Sequence, residues 1–519
     1  MNFDVVTVFN QNMRKPTLEI SKQQERRRMR RSFFLGLLVV LQLRQFQAFL
    51  IHPHDERRSF LLRQVASTAP ATDYFIPAEY YDQDNELTSQ QIHQQFVVHA
   101  GRSADMIRRA PALSGITLCK GWTPSATEAF RKAISSCVKM NPILSGHVYE
   151  KQNRKVHGNS KKELWIQAGT FPPEEHEFCR QMEPPPSLSL SKLAEMNDDK
   201  EILDQLTTRY IDLFDDGELT HQQIRKRLPL FGASIMVEGD VAIFSIKMSH
   251  AIGDGVTFFE LLKQVSMLMN SGGELSDNIP TIEWNHERKA SHEIYSPTMS
   301  KSDIEISYGI PFLMGCAKNV LTQPKEKRGP RVFLIDKHQI AKKKKEMRAN
   351  EGPKVSSNDI ITAGVCQANR GADVFVFTEN VRGVVDGIPR NVGGNYFWEV
   401  PVRRKDSIRP EALREVIQRQ QHEGSGDAES GALDKETNLS PWPFLCGRVA
   451  RVTSLASITE SIVYEDIKTI CTMPSMSFMK HIPLDVAVIF RYSKACWGVL
   501  HNSYEFDTNS TLLEDAVVE

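Results

Sequence analysis

The run His250-Ala251-Ile252-Gly253-Asp254-Gly255 sets an imidazole, a carboxylate and a turn glycine within one short stretch. An imidazole with an unperturbed pKa of about 6.5 exchanges a proton readily near neutrality, which is the chemistry of a general base. The motif directly follows Val241 to Met248, a β-branched and apolar run, so His250 stands just past a strand end, where a rigid sheet can present it to a cleft. The alternative is a histidine satisfied within a loop. Asp254 and Gly255 read as a bend rather than as half of a His–Asp dyad, which gives Asp254 a supporting role. A carboxylate buried under such a turn needs a cation or several N–H donors to stay ionised, and Arg382 is the candidate cation. His250 and Asp254 are therefore the candidate catalytic residues, with Gly255 and Arg382 structural beside them.

The neighbouring elements follow from periodicity. Leu230 to Val237 and Val241 to Met248 form a predicted β-hairpin across Glu238-Gly239-Asp240. Val256 to Met269 places Phe258, Phe259, Leu261, Leu262, Val265 and Leu268 on one broad apolar face, so a helix follows the motif. Ser125 to Met140 is a second amphipathic helix, closed by Asn141-Pro142. Residues 270 to 330 are polar and broken by Gly272-Gly273, Pro280, Pro297 and Pro324, and read as a crossover between two halves. Beyond it, Val355-Ser356-Ser357-Asn358-Asp359 supplies capping residues for a helix, Asp373 to Thr378 reads as a strand, and Gln421 to Ser440 reads as a surface loop.

The chain has 519 residues, 40% hydrophobic and 25% charged, which is a globular composition with room for two domains. Lys plus Arg and Asp plus Glu are equal at 64 each, so no overall field favours nucleic acid or an anionic membrane. The eight cysteines show no zinc-type spacing and read as reduced core thiols; no metal site is expected. No GxSxG, HExxH or GxxxxGK[ST] occurs, which withdraws support for a serine hydrolase elbow, a zincin or a P-loop enzyme.

The amino-terminal region reads as an address. Five arginines between Arg26 and Arg31 precede the apolar run Phe33 to Leu43, the pattern of a signal peptide, and translation from Met29 would give a more ordinary one. The run is shorter than the roughly 20 apolar residues of a spanning helix. Gln47-Ala48-Phe49 and the Arg- and Ser-containing stretch after it resemble the bipartite presequences of algae with secondary plastids, although Asp55 and Glu56 depart from that pattern. Residues 1–72 are thus a targeting presequence, with plastid import through an ER-type signal as the expectation and secretion or a membrane anchor as the alternatives. The sequons at Asn438 and Asn509 fit an ER passage.

The motif region LFGASIMVEGDVAIFSIKMSHAIGDGVTFFELLKQ resembles the active-site stretch of the CoA-dependent acyltransferase superfamily, which includes chloramphenicol acetyltransferases, plant BAHD enzymes, wax ester synthases and condensation domains. FRKAISSCVKMNPILSGHV, VSSNDIITAGVCQA and NVRGVVDGIPRNVGGNYF resemble further family segments in matching order, so the resemblance runs from about residue 110 to 500. Two positions depart: Ser249 stands where the HHxxxDG form has its first histidine, and Tyr464-Glu465-Asp466-Ile467-Lys468 replaces the BAHD motif DFGWG.

The resemblance implies an α/β fold of two similar chloramphenicol acetyltransferase-like halves, mixed sheets flanked by helices, with a tunnel at their interface: 75–275 carrying HxxxDG, a linker over 276–324, and 325–519. It also implies that Asp254 turns away from His250 toward Arg382. The implied reaction is direct transfer from acyl-CoA to a hydroxyl or amine, with His250 as base and no permanently bound cofactor. Asn395 would meet the pantetheine arm or the oxyanion, or would merely end a strand. Lys342 and Lys343 would meet CoA phosphates, or lie on a solvated helix face. A plastid address would point to a small, lipophilic alcohol acceptor; a monomer, proximity to a membrane and, from the charge balance, no nucleic acid complete the expectation. A membrane-associated wax ester synthase-like enzyme and a catalytically silent ligand- or partner-binding relative are the competing readings.

Overall fold

Alternation of apolar side chains builds two mixed sheets. The computed structural model describes residues 95–100, 110–152, 162–171, 176–214, 220–275, 278–284, 315, 318–319, 329–349, 354–384, 388–423, 448–456, 464, 466–475, 479, 484–503, 505–509 and 511–518. The expected presequence 1–72, most of the linker and most of the loop 421–440 lie outside them. A small antiparallel sheet joins β1 (Gln95–Ala100), β4 (Lys162–Gln167) and β3 (His147–Gln152) in that order.

The first main sheet contains β2 (Leu113–Lys120), β5 (Cys179–Met182), β6 (Phe231–Glu238) and β7 (Val241–Met248). The β6–β7 hairpin turns through Gly239 at φ +61°, a left-handed conformation that glycine adopts without steric cost. β2 pairs antiparallel with β7, and β5 pairs parallel with β6. Helices Pro124–Met140 and Gly255–Asn270 pack against each other, and Phe130 meets Phe244 of β7 with ring centroids 4.6 Å apart. Both helices match the predicted ones to within a residue at each end. The first is started by Thr123, whose hydroxyl accepts from Ala126 N–H at 3.1 Å.

The second main sheet runs β12 (Phe397–Arg403), β10 (Val374–Asn380), β13 (Val449–Ser454), β15 (Asp485–Arg491), β16 (Cys496–His501), β9 (Arg331–Asp336) and β17 (Val517–Val518). β10 extends two residues beyond the predicted strand because β12 continues to pair with it as far as Asn380 opposite Phe397. Period-two alternation divides its side chains. Phe375, Phe377, Val400, Val402, Ala450, Val452, Ala487 and Ile489 go to one core, with Ile360, Ile361 and Val365 of helix Ser357–Ala368. Val374, Val376, Val449, Val486, Val488 and Phe490 go to the other, which also holds the apolar side chains of the first sheet.

The two sheets thus share one hydrophobic core. They also exchange a strand: β14 (Lys468–Ser475), which falls within 325–519, pairs antiparallel with β2 of the first sheet. β2 is buried along its length, and β14 covers what would otherwise be its exposed edge. The linker contributes as well. Its residues Glu283–Trp284 form β8, paired in parallel with β11 (Val392–Gly393), and Trp284 Nε1 donates to Asn141 Oδ1 at 2.8 Å.

Candidate active site

The strand β7 ends at Met248 and the chain turns at once. Ser249 N–H donates to Leu230 O at 2.7 Å, and its hydroxyl donates to Gln223 Oε1 at 2.7 Å, with both side chains buried. Ser249, the residue in place of a first histidine, therefore pins the start of the loop to helix Thr220–Lys226. Ile252 N–H returns to Ser249 O at 3.2 Å and closes the turn that carries His250.

Asp254 ends this loop as the N-cap of helix Gly255–Asn270, its Oδ1 accepting from Thr257 N–H at 3.1 Å. The same carboxylate forms a bidentate pair with Arg382: Nη1 donates to Oδ2 at 2.8 Å and Nη2 to Oδ1 at 3.0 Å. Tyr396 N–H donates to Oδ2 at 2.8 Å. Both side chains of the pair are buried, at 1% and 7% exposure for Arg382 and Asp254, so the charges survive only because N–H donors and the bidentate geometry replace water. Arg382 is fixed further by Nε donating to Val392 O at 2.8 Å and by stacking over the Tyr396 ring, 5.1 Å from its centroid. Asp254 makes no hydrogen bond to the imidazole.

The segment Gly394–Tyr396 locks onto this loop from the other side. Asp254 N–H donates to Gly394 O at 3.1 Å, Gly394 N–H to the Thr257 hydroxyl at 2.9 Å, and Asn395 Nδ2 to the backbone carbonyl of His250 at 2.8 Å. Asn395 thus holds the main chain of the histidine. A Cβ at Gly255 would stand 2.9 Å from Leu455 Cδ2, so a larger residue there would require that leucine to shift. Lys342 and Lys343 are elsewhere. Lys343 bonds Asp515 at 3.3 Å, Lys342 is exposed, and their helix Lys337–Ala349 packs on β9, on helix Ser357–Ala368 and on the turn Glu514–Ala516.

The imidazole of His250 is half-buried, and the ring of Phe397 meets it edge-on at 6.5 Å between centroids. Its Nδ1 is buried with no hydrogen bond to another residue. Burial depresses its pKa below the ordinary histidine value, and Arg451 adds to that; its own backbone carbonyl, Asp254 and Asn395 act the other way. The outcome is a neutral imidazole held by its main chain and free of a carboxylate partner, an arrangement suited to accepting a proton.

Sequence reasoning did not single out Gln223, Thr257, Tyr396, Glu399 or Arg451. Thr257 carried a signal, since it stands three residues after an N-cap aspartate. Glu399 and Arg451 carried another, as charges inside apolar strand runs. Gln223 and Tyr396 act through contacts that only the folded chain creates.

No protein-family model matches the chain, and no curated protein matches it. Among solved structures it is similar to F. sporotrichioides TRI101 complexed with coenzyme A and T-2, at 9% identity and TM-score 0.45, covering 79% of this chain and 95% of that one. It is similar also to vinorine synthase, at 14% identity and TM-score 0.48, covering 82% of this chain and 93% of that one. A third is the first condensation domain of the CDA synthetase, at 11% identity and TM-score 0.44, covering 79% and 94%.

Proposed function

We propose that the chain is an acyltransferase that moves an acyl group from acyl-CoA to a hydroxyl acceptor, with His250 as general base. The observation that supports it most directly is the anchoring of His250: its carbonyl is held by Asn395, while Asp254 is turned into the Arg382 pair. The resemblance of the motif and of the ordered segments around it to CoA-dependent acyltransferases supplies the reaction class. In the reaction, the neutral imidazole takes the acceptor's proton as its oxygen attacks the thioester carbonyl. The tetrahedral intermediate then collapses, the carbon–sulfur bond breaks, and the imidazolium returns the proton to the CoA thiolate. No acyl-enzyme forms. A positioned base supplies about 10²–10⁴-fold, and positioning and oxyanion stabilisation supply the rest.

The test is incubation of purified protein with acetyl-CoA and longer acyl-CoAs and a cell lipid extract, scored by mass shift. Acyl products from the wild-type chain, lowered at least 10²-fold in His250→Gln, are the expected result. Undiminished product from His250→Gln would overturn the base assignment. No product from either protein with any acyl-CoA would favour a silent, ligand-binding relative.

A further inference from the structure

The face of the second sheet turned toward His250 carries an ion pair that its apolar alternation does not require. On β12, Val400 and Val402 go to the helix-covered core, which puts Phe397 and Glu399 on the opposite face, and Phe397 meets the imidazole. On β13, Ala450 and Val452 go to the helix side and Val449 to the shared core, so Arg451 emerges on the same face as Glu399. The two reach across β10, Glu399 from opposite Thr378 and Arg451 from opposite Val376. Arg451 Nη1 lies 2.8 Å from Glu399 Oε1, and Nη2 donates to Oε2 at 3.1 Å. The Glu399 side chain is 1% exposed and that of Arg451 25%.

A buried ion pair is poor evidence of a contribution to stability, because apolar side chains of similar volume often serve as well. Its place on the strand face that also carries Phe397, which meets the imidazole, calls for another reason. Two charges among the described residues act on His250: Asp254, paired with Arg382, and Arg451, paired with Glu399 two residues along the strand face from Phe397. Asp254 favours the imidazolium, while of the second pair it is Arg451 whose charge opposes it. We propose that Arg451, oriented by Glu399, is a positioning residue whose charge acts together with burial to oppose protonation of His250 and partly offsets Asp254. This rests on the reading of His250 as the base.

The test separates the two ideas by observing the imidazole directly. Protein labelled with 13Cε1-histidine is titrated by NMR, the His250 signal being identified by its loss in His250→Gln. Arg451→Gln is expected to move the His250 midpoint to higher pH, Arg451→Lys to leave it near the wild-type value, and Glu399→Gln to move it to lower pH. The double variant Glu399→Gln/Arg451→Gln leaves no lone buried charge and guards against misfolding; its midpoint too should lie above that of wild type. A wild-type midpoint in both Arg451→Gln and the double variant would overturn the proposal, as would a shift in Arg451→Lys as large as in Arg451→Gln. The acid limb of kcat/KM should follow the His250 midpoint. A shifted midpoint with an unmoved acid limb would overturn the base reading and leave the electrostatic role of Arg451 standing.

Discussion

The carboxylate of Asp254 accepts from Arg382, Thr257 and Tyr396 while giving nothing to the imidazole four residues earlier. It links three segments distant in sequence: the His250 loop, the end of β10 and the approach to β12. Removing one partner of such a buried pair leaves a charge uncompensated, at a cost of about 3–5 kcal/mol. Asp254→Ala is therefore expected to lower both the melting temperature and acyl transfer, whereas His250→Gln should lower transfer alone. Arg382→Ala should resemble Asp254→Ala, and the double variant should fall well short of the sum, since both substitutions remove one interaction. A thermal melt with a turnover assay on each variant reads this, and a wild-type melt for Asp254→Ala would refute it.

At the scale of elements, β16 places His501 in a buried aromatic site, stacked on Phe506 at 3.9 Å between ring centroids and edge-on to Phe333. Arg331 of β9 stands opposite it in the register. Burial first, then the Arg331 charge, push its pKa from the ordinary histidine value of 6.5 down to about 3, with a bond to the Ser503 backbone opposing them. The unfolded chain takes up a proton as the pH falls below about 6.5, while the folded chain refuses it until about 3. Stability from this neutral histidine is therefore fully present above about pH 6.5 and declines through that window, by up to about 1.4 kcal/mol for each pH unit. Replacing the ring with a similar apolar one, His501→Phe, should flatten the acid loss. Urea midpoints collected from neutral to mildly acidic pH check it, and equal slopes in the two proteins would count against it.

At the scale of the molecule, the shared core and the strand exchange couple the two sheets. β14 belongs to the later part of the chain but completes the earlier sheet, and Tyr492 at the end of β15 donates to Asp199 Oδ1 at 2.9 Å. Each sheet loses the shared core if the other unfolds. Urea unfolding should accordingly be one transition, with tryptophan fluorescence and far-UV circular dichroism coincident. Two separated transitions would show that the sheets hold independent cores.

Local pattern alone defined the pieces that carry the site. The β6–β7 hairpin, the helix after the motif and the helix at Ser357 were legible because their alternation, turn glycine and capping residues act within a few residues of one another. The motif placed His250 at a strand end for the same reason. Pairing Asp254 with Arg382 needed the family resemblance, because 128 residues separate them and no periodicity spans that distance. The strand exchange of β14, the docking of Ser249 on Gln223 and the hold of Asn395 on the His250 carbonyl depend on which surfaces meet when two sheets close on one core. The Glu399–Arg451 pair shows the limit most clearly. Each residue appears in sequence only as a charge interrupting an apolar strand, and that the two meet on the face that carries Phe397 is settled by the registers of β12, β10 and β13, which only the assembled sheet brings into line.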